Sequence, residues 1–148
     1  MSSMCDCGRL QPYERCCGRW HGGAQPTAVE DLMRSRYSAF VRQDAEYLLR
    51  TWHPKTRPAA IDWVDDTQWL QLQVSHAEQN EQHGEVHFNA YFREQGVWQC
   101  LHERSRFVCA DGVWYYLDGV ADWQRIKPQR NAPCLCGSGR KGKQCCLR

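Results

Sequence analysis

Eight of the ten cysteines stand in two groups with the same spacing, C-x-C-x8-C-C, one group near each end of the chain. Four thiols in so short a segment cannot fold around a core of their own, so a tetrahedral metal must supply the missing stabilisation. Because zinc prefers closed sulfur sites in structural roles, we expect two structural zinc sites without an open catalytic position. The predicted ligands are Cys5, Cys7, Cys16 and Cys17 in the first group, and Cys134, Cys136, Cys145 and Cys146 in the second.

Two alternatives to this ligand set are disulfide bonds between the cysteines and a histidine in place of one thiolate. The segment Met1 to Cys7 has no apolar region typical of a secretory signal, so we expect a cytoplasmic protein. In a reducing compartment clustered thiols bind metal more often than they form disulfides. His21 could replace one thiolate of the first group, but four cysteines already complete a tetrahedral shell.

Glu103 is the candidate for acid–base chemistry, because its carboxylate stands in a run where alternate residues are apolar. One interpretation makes Glu103 a general acid or base, with Tyr116 and Asp118 nearby. The other makes it the partner of Arg36 in a buried pair that orients a helix on a sheet, since an unpaired buried carboxylate is costly. One carboxylate on an apolar face favours the structural interpretation, so the sequence does not predict an enzyme.

The elements that position these residues lie in the body of the chain, residues 27–123. Thr27 and Glu30 have the spacing of a capping box, and apolar residues follow at helical intervals. Asp44 is the predicted cap of a second, shorter helix, which Pro54 ends. From Trp69 onward apolar and polar residues alternate, which predicts strands. Helices followed by an antiparallel meander indicate an α+β domain with helices covering one face of a curved sheet.

Two hairpin turns fix the register of the last three strands. Gln95-Gly96 and Asp111-Gly112 are typical of two-residue turns. With two residues in each turn, Phe88 lies opposite Glu103. An otherwise apolar face of the sheet then contains four polar residues: Glu103, Ser105, Tyr116 and Asp118.

The charge of the chain is unevenly distributed. The formal net charge is +2, and the segment after Trp123 holds seven Lys or Arg residues and no Asp or Glu. Each Zn(Cys)4 centre carries a net charge of about −2, so two centres change the total to about −2. The basic tail contains no aromatic residue on which a base could stack, which argues against nucleic-acid binding.

No stretch approaches about 18 apolar residues, so we expect no membrane span.

The C-terminal cluster resembles the SEC-C motif, a small zinc-binding module, over residues 133–146. It departs from the motif at Gly142, where an aromatic residue is common. The N-terminal copy keeps the four cysteines and Tyr13, but has Arg9 and Leu10 in place of the usual Ser and second Gly.

The body of the chain resembles the YchJ family. The resemblance lies in residues 32–38 (LMRSRYS), 51–54 (TWHP), 102–107 (HERSRF) and 112–119 (GVWYYLDG). It implies a nuclear-transport-factor-2-like (NTF2-like) cone flanked by zinc knuckles. The expected segments are an N-terminal motif at 1–23, the cone at 27–123, a linker at 124–132 and the C-terminal motif at 133–148.

The resemblance does not identify an activity. The leading hypothesis is a zinc-binding adaptor that contacts a protein partner. We expect that partner to belong to the secretion machinery or to the ribosome. The alternative is a small-molecule-binding protein or enzyme that uses the interior of the cone around Glu103. It requires a cavity that reaches Glu103, whereas a solidly filled cone would exclude it. Since the body has its own core, we expect it to stay folded when metal is removed.

Overall fold

The computed structural model describes residues 4–64 and 66–148, so residues 1–3 of the predicted N-terminal motif and residue 65 lie outside the described residues. Short 3₁₀ helices at Tyr13–Arg15 and Gly142–Gln144 mark the two cysteine-rich ends. The elements between them are α1 (Cys17–His21), α2 (Val29–Arg42), α3 (Ala45–Arg50), β1 (Thr67–Gln79), β2 (His83–Glu94), β3 (Val97–Ala110) and β4 (Val113–Arg125).

The four strands form one antiparallel meander in the order β1-β2-β3-β4. Both predicted hairpin turns have two residues, and all four turn residues have positive φ, between 51° and 80°. Positive φ at both positions is the type I′ geometry, which matches the twist of the strands on either side. The predicted pair of Phe88 with Glu103 is confirmed, and the second turn pairs Phe107 with Tyr116.

Helix α2 covers the apolar face of the sheet and closes the core. Its apolar residues recur at helical spacing, so they share one face and meet alternate residues of the strands. The central residues of this core are Val29, Leu32, Met33, Tyr37, Leu72, Val86, Phe88, Ala90, Phe107 and Trp114. The α+β architecture, with helices on one face of a curved sheet, is thus confirmed.

One of the two predicted helix caps is confirmed, and the other is wrong. Asp44 caps α3 as predicted, since its Oδ1 accepts a hydrogen bond of 3.1 Å from the Tyr47 backbone N–H. The capping box at Thr27 is wrong, because α2 begins at Val29 after Ala28 and has no side-chain cap. The Val29 N–H instead donates to the Gln79 side-chain oxygen at 2.7 Å. A residue distant in sequence satisfies this donor.

The expected position of Asp118 is wrong. A bulge separates the pair Phe107–Tyr116 from the pair Arg106–Asp118, so one residue of β4, Leu117, has no opposite partner. One extra residue reverses the faces of all residues that follow it. Asp118 therefore lies on the outer face, where Arg106 Nε donates to it at 2.6 Å.

The chain that leaves α3 is fixed to the middle of β4. The Tyr116 N–H donates to the Thr51 carbonyl at 2.8 Å, and the His53 N–H donates to the Tyr116 carbonyl at 2.7 Å. Trp52 thereby lies with its ring centroid 5.1 Å from that of Tyr116.

Among the described helices, none has the length and apolar character needed to cross a membrane.

Candidate metal centres and ligand cavity

Each group of four cysteines forms a compact sulfur cluster. Within each group the Sγ atoms all lie within 4.8 Å of one another. The Cys7–Cys16 and Cys136–Cys145 sulfur pairs are 3.5 and 3.4 Å apart. A disulfide would need about 2.05 Å, whereas four sulfurs at about 2.3 Å from a central zinc lie about 3.8 Å apart. All ten cysteines are unpaired, so both donor sets fit a tetrahedral metal.

The sequence repeat is also a structural repeat. A backbone bridge joins Met4 to Pro12 in the first cluster, and an equivalent bridge joins Pro133 to Lys141 in the second. Each first cysteine donates its N–H to a carbonyl six residues on, at 2.8 Å from Cys5 and 2.7 Å from Cys134. Gly8 and Gly137 occupy the same turn position with φ of 92° and 79°. We call these two units the N-terminal and the C-terminal knuckle.

A reciprocal exchange of large and small residues explains the departure at Gly142. In the N-terminal knuckle, Tyr13 packs against Gly18, where an added Cβ would lie only 2.7 Å from the Tyr13 carbonyl. The corresponding C-terminal positions are Gly142 and Leu147, and an added Cβ at Gly142 would lie 2.8 Å from the Leu147 side chain. The leucine therefore fills the space that the tyrosine fills in the other copy. The pattern was not visible from either position alone.

Ion pairs and hydrogen bonds attach the N-terminal knuckle to α2. Arg34 Nη1 donates to the Cys7 carbonyl at 2.7 Å, and Arg42 Nε donates to Asp6 at 2.7 Å. Arg9 pairs with Asp31 and, at 3.2 Å, with Glu30. All four cysteines of this knuckle are buried. A metal at this site would therefore hold the outer side of the helix that covers the core.

His21 does not belong to the ligand set. Its Nδ1 lies 2.5 Å from the Tyr13 hydroxyl, and its Nε2 lies 2.8 Å from the Ser35 carbonyl. Both ring nitrogens thus have hydrogen-bond partners, and the ring links the N-terminal knuckle to α2. The interpretation with four cysteine ligands agrees with this geometry.

The C-terminal knuckle is more exposed, and polar groups lie close to one of its sulfurs. Ser138 Oγ lies 3.4 Å from Cys145 Sγ, and Arg140 Nη2 lies 3.6 Å from the same atom. The hydrogen bond from Ser138, followed by that from Cys136, lowers the pKa of the Cys145 thiol to about 6. Donors around a thiolate stabilise its charge and orient it toward a metal.

The C-terminal knuckle lies beside the outer face of the sheet. A groove of about 180 Å³ is lined by Tyr91 and Trp98 of the strands and by Leu147 of the knuckle. An added Cβ at Gly137 would lie 3.1 Å from the side chain of Gln71 in β1. β4 extends to Arg125, into the segment predicted as linker. Arg140, Lys141 and Lys143 are exposed.

The interior of the cone is hollow. A cavity of about 300 Å³ lies between α2, the segment after α3 and the sheet. Its volume is at the lower end of the range for small-molecule sites. Its wall is mostly aromatic or aliphatic, and it consists of Met33, Arg36, Tyr37, Phe40, Trp52, Trp69, Phe88, Ala90, Leu101, Glu103, Tyr116 and Trp123.

Arg36 is the buried cation of this cavity. Its Nη1 donates to the Leu48 carbonyl at 2.8 Å and to Thr51 Oγ1 at 2.7 Å. Its guanidinium carbon lies 4.5 Å from the ring centroid of Tyr116. Burial lowers the pKa of Arg36 to about 10, so the side chain stays charged at neutral pH. Within the described residues, its Nε and Nη2 groups have no hydrogen-bond acceptor.

Glu103 is the acidic group of the same cavity. It accepts a hydrogen bond from the Ser105 hydroxyl, and Tyr116 lines the cavity beside it. Burial raises the pKa of Glu103, although the Ser105 hydrogen bond and the charge of Arg36 act in the opposite direction. An added Cβ at Gly119 would lie 2.9 Å from the carboxyl group. The missing side chain at Gly119 therefore leaves room for this carboxyl.

The structure brings together three of the four predicted pocket residues. Arg36, Glu103 and Tyr116 line one cavity, whereas Asp118 is on the outer face. The ion pairs of the described residues do not include one between Arg36 and Glu103. The sequence interpretation missed the roles of Ser105, Gly119 and Trp123, which the bulge and the register determine.

Family comparisons match both parts of the chain. A model described as the YchJ middle NTF2-like domain matches residues 28–119, and the SEC-C motif matches residues 130–148. A UPF0225 protein of Vibrio parahaemolyticus is 41% identical over 166 residues and covers 99% of each chain. A UPF0225 protein of Streptomyces coelicolor is 53% identical over 120 residues, which are 78% of this chain and 93% of the relative.

Two solved structures have the same fold. The solution structure of a SEC-C motif containing protein from Rhodopseudomonas palustris has a TM-score of 0.73 and 34% identity, over 81% of this chain and 99% of that one. The crystal structure of a SEC-C motif containing protein from Psychrobacter arcticus has a TM-score of 0.68 and 31% identity, over 98% and 96% of the chains.

Proposed function

The chain belongs to the YchJ family, and from this premise we propose that it binds a small molecule in the cone cavity while two zinc knuckles stabilise the fold. The observation that carries the proposal is the hollow interior of about 300 Å³, which contains Arg36 and Glu103. A cavity with apolar walls and a few convergent polar groups is the usual form of a small-molecule site. The protein's own residues would bind and orient the ligand, and no catalytic step is assigned to them.

The metal proposal rests on the chemistry of the two donor sets. Four thiolates suit zinc, which takes closed tetrahedral sulfur sites in structural roles. Zinc would replace a hydrophobic core in each knuckle, and it would require a reducing compartment such as the cytoplasm. Metal analysis should give about two equivalents of zinc per chain, because each knuckle has four ligands.

The ligand site is tested by filling it. Ala90 is 1% exposed and lines the cavity, so Ala90→Phe would place a ring inside it. Naphthalene is a suitable first probe, and the indole N–H signals of Trp52, Trp69 and Trp123 report on it by NMR. We expect saturable shifts in the wild-type protein, and at least about ten-fold weaker binding in Ala90→Phe. Val120→Phe is the matched control, because Val120 is 67% exposed.

Two outcomes would contradict the ligand proposal. The first is the absence of saturable binding to a folded wild-type protein with both metals in place. The second is equal binding by the wild-type protein and by a folded Ala90→Phe variant. Either outcome would leave the cavity as a packing defect.

A second candidate function, the adaptor, has its own supporting observation. The C-terminal knuckle exposes Arg140, Lys141 and Lys143, whereas the N-terminal knuckle is tied to α2. Such a basic, metal-stabilised projection suits a protein partner with an acidic surface, including one in the secretion machinery or on the ribosome. In a pull-down, the variant K141E/K143E, which keeps Arg140 beside Cys145, should lose partners that the wild-type protein captures. Retention of the same partners would exclude this role for the knuckle.

A further inference from the structure

The polar groups of the cavity narrow the class of ligand, and this inference rests on the proposed function. The wall is mostly apolar, with Phe40, Trp69 and Phe88 among the residues that would contact a ligand. Flat aromatic side chains favour a flat partner, because stacked and edge-to-face contacts add to the burial of apolar area. The ligand should therefore be a small ring system.

Arg36 requires a hydrogen-bond acceptor from the ligand. Only Nη1 of its guanidinium is bonded within the described residues, to Leu48 and Thr51. The side chain is 3% exposed, and its remaining donors are not fully enclosed by protein, so they open onto the cavity that Arg36 lines. A ligand that displaced water from these charged donors without accepting from them would lose binding, because the donors would be left unpaired. A carbonyl oxygen on the ligand would satisfy them.

Glu103 determines that the ligand should be neutral and should carry a donor. Its carboxyl group accepts from Ser105, and a carboxylate has further lone pairs for a ligand N–H. A ligand carboxylate would place a second acid beside Glu103 in a cavity of low polarity, where like charges repel strongly. A neutral N–H group avoids this repulsion.

The two polar groups share one cavity with Tyr116. The guanidinium carbon of Arg36 lies 4.5 Å from the Tyr116 ring centroid, and Glu103 and Tyr116 both line the cavity. We propose that the cavity binds a neutral aromatic lactam, with its carbonyl accepting from Arg36 and its ring N–H donating to Glu103. Heterocycles in which C=O and N–H adjoin present both groups on one edge.

The test uses probes that share a ring shape and differ at that edge. 2-Quinolone has the carbonyl and the N–H, N-methyl-2-quinolone has the carbonyl alone, naphthalene has neither, and 2-naphthoate has a carboxylate. Affinities would be measured by NMR titration on the full, metal-loaded chain. We expect 2-quinolone to bind about ten-fold or more tighter than naphthalene and N-methyl-2-quinolone, and 2-naphthoate to bind more weakly than 2-quinolone.

Substitutions of Glu103 separate the proposed contact from a general effect on the cavity. Glu103→Leu should weaken 2-quinolone to the level of its N-methyl analogue and leave naphthalene within about two-fold. Glu103→Gln should restore much of the 2-quinolone affinity, because its side-chain carbonyl can accept from the N–H. Arg36→Lys should reduce the preference for both quinolones over naphthalene. Circular dichroism checks that each variant is folded.

The outcomes distinguish this inference from the proposed function. If naphthalene binds in the cavity and 2-quinolone binds no tighter, the lactam assignment is overturned and the ligand site remains. Tighter binding of 2-naphthoate would overturn the assignment in favour of an anionic ligand. If none of the four probes binds, the proposed function fails as well.

Discussion

Gly119 lies against the carboxyl group of Glu103, and a Cβ atom at Gly119 would be 2.9 Å from the carboxyl carbon. Real Cβ atoms do not approach other heavy atoms so closely, so any side chain there must displace Glu103. The position of the cavity's only described acid therefore depends on a glycine in the neighbouring strand.

Gly119→Ala should displace the Glu103 carboxyl and disturb the cavity. We expect a loss below about 1 kcal/mol in the free energy of unfolding, because Gly119 is exposed and the group that must move is the end of a flexible side chain. Binding of 2-quinolone should weaken in parallel, because its N–H is the proposed donor to Glu103. Urea denaturation and NMR titration measure the two effects, and Val120→Ala on the opposite face serves as the control. Unchanged probe affinity in Gly119→Ala would show that Glu103 does not shape the site.

The two metal sites should differ in their effect on the body of the protein. The N-terminal knuckle holds α2 through Arg34 and Arg42, whereas the C-terminal knuckle lies beside the sheet. Cys7→Ser should lower the free energy of unfolding of the body by about 3 kcal/mol or more, and Cys136→Ser by much less. Each should reduce bound zinc from about two equivalents to one. Thermal melts and metal analysis give both quantities.

The body is still expected to stay folded when metal is removed, but this difference adds that its stability should fall. Full chelation should leave a folded but less stable cone, with its loss in melting temperature reproduced by Cys7→Ser alone. An equal loss from Cys136→Ser would contradict the asymmetry.

The Tyr13–Gly18 and Gly142–Leu147 pairs should be exchangeable between the knuckles. Gly142→Tyr alone should clash with Leu147, since a Cβ at Gly142 already lies 2.8 Å from it. We expect loss of metal affinity at the C-terminal knuckle of about ten-fold or more. The double variant G142Y/L147G should recover part of it, because the Gln129 carbonyl, 2.9 Å from the added Cβ, must still shift. A competition titration with a chromophoric chelator measures the affinities, and no recovery would mean that the pairs are not equivalent.

Glu103 should make stability depend on pH. Burial raises its folded pKa above the unfolded value of about 4.3, so the folded state holds the proton more tightly. Its favourable contribution is complete below about pH 4.3 and is lost as pH rises through the folded pKa. Glu103→Gln should therefore gain stability relative to the wild-type protein between acid and neutral pH. Urea denaturation at several pH values tests this, and a constant difference would refute it.

The sequence allowed much of the fold to be predicted because local signals agree with the tertiary packing. Gln95-Gly96 determined the turn geometry, and the alternation of apolar residues then placed Glu103 on the inner face. Asp118 was misplaced because the bulge at Leu117 has no local signature. The N-terminal donor of α2 was misassigned because its partner, Gln79, lies far along the chain. Contacts between distant segments were the part that the sequence pattern did not contain.

The bulge at Leu117 determines which residues at the end of β4 face inward. Beyond it, odd-numbered residues pair across from the inward positions of β3: Gly119 with Ser105, Ala121 with Glu103 and Trp123 with Leu101. If Leu117 were retained but the bulge were lost, Leu117 would pair with Arg106, and Asp118, Val120 and Asp122 would turn inward. The cavity would then exchange a tryptophan and a glycine for two additional acids. Deletion of Leu117 would instead give a regular ladder that keeps the pairs from Arg106–Asp118 onward, so the strand tolerates the loss of this one residue.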